Sequence, residues 1–238
     1  MIPKVIHYCW FGGKTLPLDV VKCIDSWKVQ CPDYKIIRWD ENNFDINCVE
    51  YVKEAYEEKK WAFVSDYARL KIIYENGGIY LDTDVELLKN LDLLLNNKFF
   101  FAIEKDTNEL HNVEYINVAT GLGFGGEKHN TVILSLLEEY NNVHFKTCEG
   151  IDLTPCPVRN TKALEKFGYK NENFLQQFAG GTVYPADYFC PQECNSKVSN
   201  YSSNTLAIHH YSATWKSKKE IRINKIKNLI RRSLRKIL

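Results

Sequence analysis

The sequence predicts an α/β fold, a mostly parallel central sheet with helices on its faces, and three observations predict it. Short β-rich runs alternate with helical ones through the first third of the chain, the order that builds parallel sheets through crossover helices. A strongly apolar helical stretch over residues 63–76 stops at Gly77-Gly78, the left-handed ending favoured at helix C-termini. An acidic turn, Asp82-Thr83-Asp84, then follows a short apolar strand, at the carboxyl end where open α/β sheets bind ligands.

Residues 4–10 are β-rich and run into a glycine loop at Phe11-Gly12-Gly13. Residues 17–29 read as a helix, 34–39 as a second strand, and the Glu/Lys-rich stretch 49–60 as a second helix. In the third helix, apolar or aromatic side chains at 63, 64, 67, 68, 70, 72, 73 and 74 leave few polar positions, so it is buried on most sides. Ile79-Tyr80-Leu81 is a strand. Later strands are expected at 99–103, 115–119, 181–184 and 205–210, with a helix at 130–140. The Pro-, Asn-, Ser- and Cys-rich stretch 145–204 is expected to form loops and short helices over one sheet edge.

With 238 residues, 45% apolar and 26% charged, the chain is neither fibrous nor disordered, and it is long enough for one large domain. No apolar run approaches the ~20 residues of a membrane span, and residues 1–13 lack the apolar stretch of a leader. The expectation is a cytoplasmic protein. Its eight cysteines then read as reduced thiols rather than a disulfide framework. Cys190 and Cys194 could form half of a zinc site, but no second close pair accompanies them.

The net charge of +1 conceals an asymmetry. Residues 216–238 carry ten Lys or Arg against Glu220 alone, a net +9, which leaves residues 1–215 with 21 basic against 29 acidic side chains, a net −8. An acidic body argues against a nucleic-acid binder. The division is therefore a domain over 1–215 and a basic amphipathic helix over 216–238, in which Ile223, Ile226, Ile230, Leu234 and Ile237 share one face. Such a helix suits an anionic lipid surface; docking on the chain's own acidic body is the alternative.

Asp82 and Asp84 form the first chemical pair, since two carboxylates plus a diphosphate can hold a divalent ion. Asp is also a common turn residue, so the pattern alone is compatible with a simple strand end. Asp66 and Arg69, three apart, share a helix face. They could accept sugar hydroxyls and make charge-assisted contacts to a ligand, or merely pair with each other. Trp10, beside the Gly12-Gly13 loop, could stack on a nucleobase or belong to the core. His209 and His210 precede Tyr211 and Trp215 near the end of the body, where a histidine could supply a third metal ligand.

Four blocks, residues 2–13 (Ile-Pro-Lys-Val-Ile-His-Tyr-Cys-Trp-Phe-Gly-Gly), 65–69 (Ser-Asp-Tyr-Ala-Arg), 77–84 (Gly-Gly-Ile-Tyr-Leu-Asp-Thr-Asp) and 209–215 (His-His-Tyr-Ser-Ala-Thr-Trp), occur in the order of glycosyltransferase family 32, which the chain resembles. That family comprises capsular-polysaccharide and mannosyltransferase-like enzymes, and the sugar-transferring domains of clostridial toxins look like its relatives. The resemblance implies a GT-A fold and a hexosyltransferase that moves sugar from a nucleotide sugar with retention. It implies Mn²⁺ or Mg²⁺ on Asp82, Asp84 and His210. His210 is chosen over His209 by its spacing of five from Trp215 alone; in a regular strand it would share the face of Leu206 and Ile208, with His209 pointing the other way. Trp10, Phe11, Gly12, Asp66, Arg69, Gly78, Tyr80, Asp82, Thr83 and Trp215 are the implied donor-binding residues, with Asp66, Arg69, Asp82 and Asp84 the catalytic ones.

The departure from the family's usual Ser-Trp ending is Thr214 before Trp215. Asp187, in a Tyr-Pro-Ala-Asp-Tyr loop, is the candidate acceptor-side carboxylate. The combined expectation is a bacterial enzyme of capsule, O-antigen or other surface-polysaccharide synthesis that uses a UDP-sugar. It would extend a lipid-linked saccharide at the inner face of the membrane. A saccharide-binding module without turnover and a toxin-like transferase acting on protein are the rivals.

Overall fold

In the computed structural model, residues 1–108, 113–192 and 201–212 are described. Cys194, Trp215 and the basic tail 216–238 lie outside them. The elements in chain order are β1 (Val5–Cys9), α1 (Leu18–Gln30), β2 (Lys35–Trp39), α2 (Glu50–Glu57), α3 (Trp61–Asn76), β3 (Gly78–Tyr80), β4 (Val85–Leu87), β5 (Phe99–Asn108), β6 (Val113–Val118) and β7 (Phe124–Gly126). They continue with α4 (Thr131–Glu138), β8 (Lys146–Thr147), β9 (Gly150–Ile151), α5 (Cys156–Glu165), β10 (Gln176–Phe178), β11 (Gly181–Tyr184), α6 (Ala186–Phe189) and β12 (Ala207–His209).

The main sheet has eight strands in the order β10-β11-β5-β7-β3-β1-β2, with β6 paired to β5. Strands β1, β2, β3, β5 and β11 all point the same way, and β6, β7 and β10 run against them. The mostly parallel architecture is thus present, with an antiparallel β7 inserted between β3 and β5. β7 was not foreseen, because Phe124-Gly125-Gly126 lacks the side chains that mark a strand. The glycines are needed there: a Cβ on Gly125 would come 2.6 Å from the Gly78 carbonyl, and one on Gly126 2.3 Å from Ile133 Cδ1.

Apolar side chains cover both faces of the sheet, so its strands read as continuous hydrophobic runs. Phe99, Phe101 and Ile103 face a core shared with α2, α3, α4 and α5. Phe100 and Ala102 face a second core with α1, β4 and α6. The same alternation puts Tyr80 on the α3 side and Ile79 and Leu81 on the other. Trp27 of α1, fully buried, donates its indole N–H to the Val85 carbonyl at 2.7 Å and pins β4 beneath the second core.

Gly77 takes φ +70° and its N–H closes the last turn of α3 on the Ile73 carbonyl at 2.8 Å. The chain therefore turns directly from α3 into β3, which fixes Asp66 and Arg69 relative to Asp82. The stretch after residue 145 is more regular than expected, with the β8–β9 hairpin, α5 and the β10–β11 pair among its loops. Cys9, Cys23, Cys31, Cys48, Cys148, Cys156 and Cys190 are free thiols. Among the described residues no helix is long and apolar enough to cross a membrane.

Candidate functional site

The site lies where β3 ends. Asp82 leaves the strand with its N–H on the Gly121 carbonyl at 3.0 Å, and Val85 N–H closes the acidic turn on the Asp82 carbonyl at 3.0 Å. Beyond the turn, β4 pairs antiparallel with β12 in a separate two-stranded sheet, with His209 opposite Val85. That register delivers His209 to Asp84, and one ligand atom from each of Asp82, Asp84 and His209 lies within 4.8 Å of the others.

His209 Nε2 stands 3.1 Å from Asp84 Oδ1, Ser212 N–H donates to Asp84 Oδ2 at 2.8 Å, and His210 N–H donates to the Asp84 carbonyl at 2.9 Å. His210 itself turns outward to Glu86 at 2.8 Å. The structure therefore brings His209, not His210, to the carboxylates. Apolar alternation pointed to the wrong face because both faces of β12 are covered: Leu206 and Ala207 are both buried, and the small Ala207 shares the site-facing side with His209.

On the other flank, Arg69 Nη2 lies 3.0 Å from Asp66 Oδ1 and 3.4 Å from Asp82 Oδ1. Its Nε donates to the Ser65 carbonyl at 3.0 Å, and its guanidinium lies over the Tyr80 ring at 5.1 Å. Tyr80 donates its hydroxyl to Asp82 Oδ1 at 3.0 Å. One buried guanidinium thus faces two carboxylates, Asp66 and Asp82, with Asp84 on the far side of Asp82, and a cation would neutralise the negative charge gathered there.

Burial pushes the Asp66 carboxyl up to about 6, against the Arg69 charge and with help from Asp82. Burial, with the neighbouring Asp84 charge, also raises Asp82, opposed by Arg69 and His209. Asp84 goes the other way: burial favours its neutral form, but the His209 contact and Ser212 N–H outweigh it and hold the carboxyl below its usual range. His209 is raised because Asp84 and Asp82 outweigh its own desolvation.

Two oxygen donors and an imidazole suit a borderline cation such as Mn²⁺, and Mg²⁺ is compatible with the carboxylates. A buried His209 Nδ1 without a hydrogen-bond partner is a further sign of a site built for more than the protein supplies.

Other predicted positions divide. Trp10, half-buried, sits at the end of β1 with its N–H on the Trp39 carbonyl and its indole N–H on the Lys14 carbonyl, 2.8 and 2.7 Å. Phe11 is core, packed edge-on to Phe44 at 5.9 Å, so its side chain is taken up by protein. Gly12 donates to Glu41 Oε1 at 2.5 Å, under the Trp61 ring. Gly78 opens β3 at the end opposite Asp82, where a Cβ would meet His7 at 2.9 Å; it makes room for packing. Thr83 is buried within the turn. Asp187 accepts from Ser202 Oγ at 2.7 Å. Trp215 lies outside the described residues.

Gly121 was not foreseen: a Cβ there would sit 2.3 Å from Asp82 Oδ2 and 3.1 Å from Arg69 Nη1. No pattern in the sequence marks a residue whose contribution is an absent side chain.

Residues 17–101 match the model of the family described as glycosyltransferase sugar-binding region containing DXD motif. Over that stretch, about a third of its length, the chain is similar to DXD-containing glycosyltransferases. An uncharacterized glycosyltransferase, L373, of Acanthamoeba polyphaga mimivirus is 33% identical over 130 residues, covering 51% of this chain and 50% of that protein. Inositol phosphoceramide mannosyltransferase 3 of Schizosaccharomyces pombe is 33% identical over 103 residues, covering 40% of this chain and 28% of its own length. The chain thus spans half or less of the length of the curated relatives it matches. Among solved structures, the PaToxG glycosyltransferase aligns over 69% of both chains with TM-score 0.49 and 18% identity. A glycosyltransferase involved in glycosylation of the PBCV-1 major capsid covers 90% of this chain and 95% of that one, with TM-score 0.45 and 10% identity.

Proposed function

We propose that this chain is a metal-dependent, retaining hexosyltransferase. It takes a hexose or N-acetylhexosamine from a UDP-linked donor and passes it to a saccharide of capsule, O-antigen or a similar surface polymer. The observation that carries this reading is the meeting of Asp82, Asp84 and His209 beside the Asp66–Arg69 pair at the carboxyl end of β3.

Asp82, Asp84 and His209 would hold the Mn²⁺ or Mg²⁺, which when bound neutralises charge on the departing diphosphate, the largest catalytic contribution in such sites. Trp10 offers the partly exposed aromatic face for the base. Asp66, ionised above about pH 6, accepts hydrogen bonds from sugar hydroxyls. Arg69 fixes Asp66 and Asp82 in one geometry and opposes the burial that raises both carboxyls. Tyr80 holds the second lone pair of Asp82 Oδ1. No side chain is assigned as nucleophile, and retention rests on the family resemblance.

The acceptor is proposed to be lipid-linked and the enzyme to work at the inner face of an anionic membrane, held there by residues 216–238. Two points support this: the basic amphipathic pattern of the tail, and two fission-yeast relatives named for mannosyl transfer to inositol phosphoceramide.

The test is release of nucleoside diphosphate from a panel of UDP- and GDP-sugars with Mn²⁺, which needs no acceptor. Turnover of one donor, lost in Asp84→Asn and on chelation, is the expected result. A folded protein without turnover or metal-dependent nucleotide binding would overturn the enzyme reading in favour of a saccharide-binding module.

A further inference from the structure

β12 ends at His209, and the residues after it fold back onto Asp84. His210 N–H donates to the Asp84 carbonyl at 2.9 Å, one step beyond the His209–Val85 pair. Continued as a strand, the chain would carry Ser212 two residues, about 7 Å, further on. Instead Tyr211 takes φ +51° and turns the chain, so that Ser212 N–H reaches Asp84 Oδ2 at 2.8 Å. An aromatic residue is a poor choice for a left-handed position, which glycine and asparagine adopt at less cost. Such strain persists only where the surroundings over-determine it, and it gathers at functional sites.

The Tyr211 side chain shows what is gained. Its ring lies edge-on to the His209 imidazole, with centroids 4.3 Å apart and planes at 83°. Its far end is tied down: the hydroxyl is 2.9 Å from Sγ of Cys190, the residue that caps α6, and that thiol donates to the Gln192 carbonyl at 3.2 Å. The ring packs against the second core as well. Metal-ligating histidines ordinarily donate their second ring N–H to a carboxylate or carbonyl, which fixes the orientation of the imidazole. His209 Nε2 faces Asp84 Oδ1 at 3.1 Å, but its buried Nδ1 has no hydrogen-bond partner. A contact at one ring nitrogen alone would let the imidazole swing about it, and the tyrosine ring fills the space into which it would swing.

We infer that Tyr211 is a positioning residue for the metal site: its ring, anchored on Cys190, holds the His209 imidazole toward Asp84 in place of the missing second hydrogen bond. The inference rests on the transferase reading above, since it takes Asp82, Asp84 and His209 to be the metal ligands.

The experiment compares wild type with Tyr211→Phe, which keeps the ring, and Tyr211→Asn, which tolerates the left-handed turn and removes the ring. Each substitution is also made in a His209→Ala background. Mn²⁺ binding in the presence of nucleoside diphosphate is read from the loss of the free-ion paramagnetic resonance signal, and a thermal melt in chelator reports the metal-free fold. In Tyr211→Asn the Mn²⁺ affinity is expected to fall about tenfold, as when groups that orient metal ligands are lost. The phenylalanine variant should stay within about twofold of wild type. In the His209→Ala background Tyr211→Asn should cost no further affinity, because the group it acts through is gone.

An asparagine variant that binds Mn²⁺ as wild type does overturns the positioning role and leaves the transferase reading standing. A phenylalanine variant as weak as the asparagine one overturns it too, since the ring would then not be what acts. The same tenfold loss with and without His209, or an asparagine variant unfolded at the assay temperature, overturns it because Tyr211 would then support the body rather than the imidazole. Wild type that binds no Mn²⁺ overturns the metal-dependent reading and this inference with it.

Discussion

His209 Nε2 lies 3.1 Å from Asp84 Oδ1, while the adjacent His210 reaches away to Glu86. The two histidines are therefore a built-in control pair. Replacing His209 by Ala should weaken Mn²⁺ binding by at least the order of 10-fold seen when even supporting groups at metal sites are lost. The same change at His210 should leave it unaltered. Calorimetric titration of Mn²⁺ in the presence of nucleoside diphosphate separates them, and equal effects would remove His209 from the site.

The same contact ties metal-free stability to pH. His209 is raised from 6.5 in the folded protein, so its contribution is complete below 6.5 and disappears as pH climbs through the raised value. Asp84 is lowered from 3.8, so its contribution is complete above 3.8 and disappears as pH falls through the lowered value. The pair should stabilise most between about 3.8 and 6.5. Thermal melts of wild type and His209→Gln, with chelator present, should differ most near the middle of that window and converge in alkali.

Asp66 has the opposite sense. Its carboxyl is raised from 3.8 to about 6, so the fold gains from protonation below 3.8 and loses that gain as pH rises through about 6. Relative to Asp66→Asn, wild type should lose stability across this interval, by something of the order of 3 kcal/mol at most. Over the same interval the carboxylate becomes able to accept sugar hydroxyls, so the donor KM should fall. A pH profile of KM with a limb near pH 6 in wild type, absent in Asp66→Asn, would establish the link; an identical limb in both would assign it elsewhere.

Gly121 is held to glycine by Asp82 and Arg69 rather than by its backbone conformation. A methyl group would sit 2.3 Å from Asp82 Oδ2, so the carboxylate, bonded to Tyr80 and Arg69, must give way. Gly121→Ala should reduce donor turnover and Mn²⁺ affinity by about tenfold or more while leaving the melting temperature within a few degrees. A large drop in melting temperature instead would mean that the Asp82–Arg69 contact supports the fold more than the site.

How much of this was visible in the sequence follows from what each residue does. α3 and its stop were legible because Gly77 ends a run of apolar side chains with a conformation few other residues adopt. Asp82 and Asp84 were legible because they end an apolar strand. β4 was not, since Val85-Glu86-Leu87 is too short to carry a pattern and is held by Trp27 and Ser26 from α1. His209 was confused with His210 because hydrophobicity marks a buried face but cannot tell which of two buried faces fronts the carboxylates. Phe11 is assigned to the donor site by the family resemblance, whereas Phe44, a distant residue in sequence, packs against its ring.

The tail offers the last prediction. Residues 216–238 carry a net +9 beside a body of −8, so the charge that would draw the chain to anionic lipid is concentrated in one removable segment. Each basic residue close to such a surface contributes about 1 kcal/mol, and salt weakens the attraction over a Debye length of about 10 Å at 0.1 M. The 238-residue chain should sediment with vesicles containing phosphatidylserine, less so as salt is raised to about 0.5 M, while protein ending at residue 215 should not. Donor hydrolysis needs only the site at the end of β3, so it should survive the deletion. If hydrolysis and vesicle binding vanish together, the tail is part of the folded body and the charge pairing is internal; if vesicle binding persists without the tail, another surface holds the membrane.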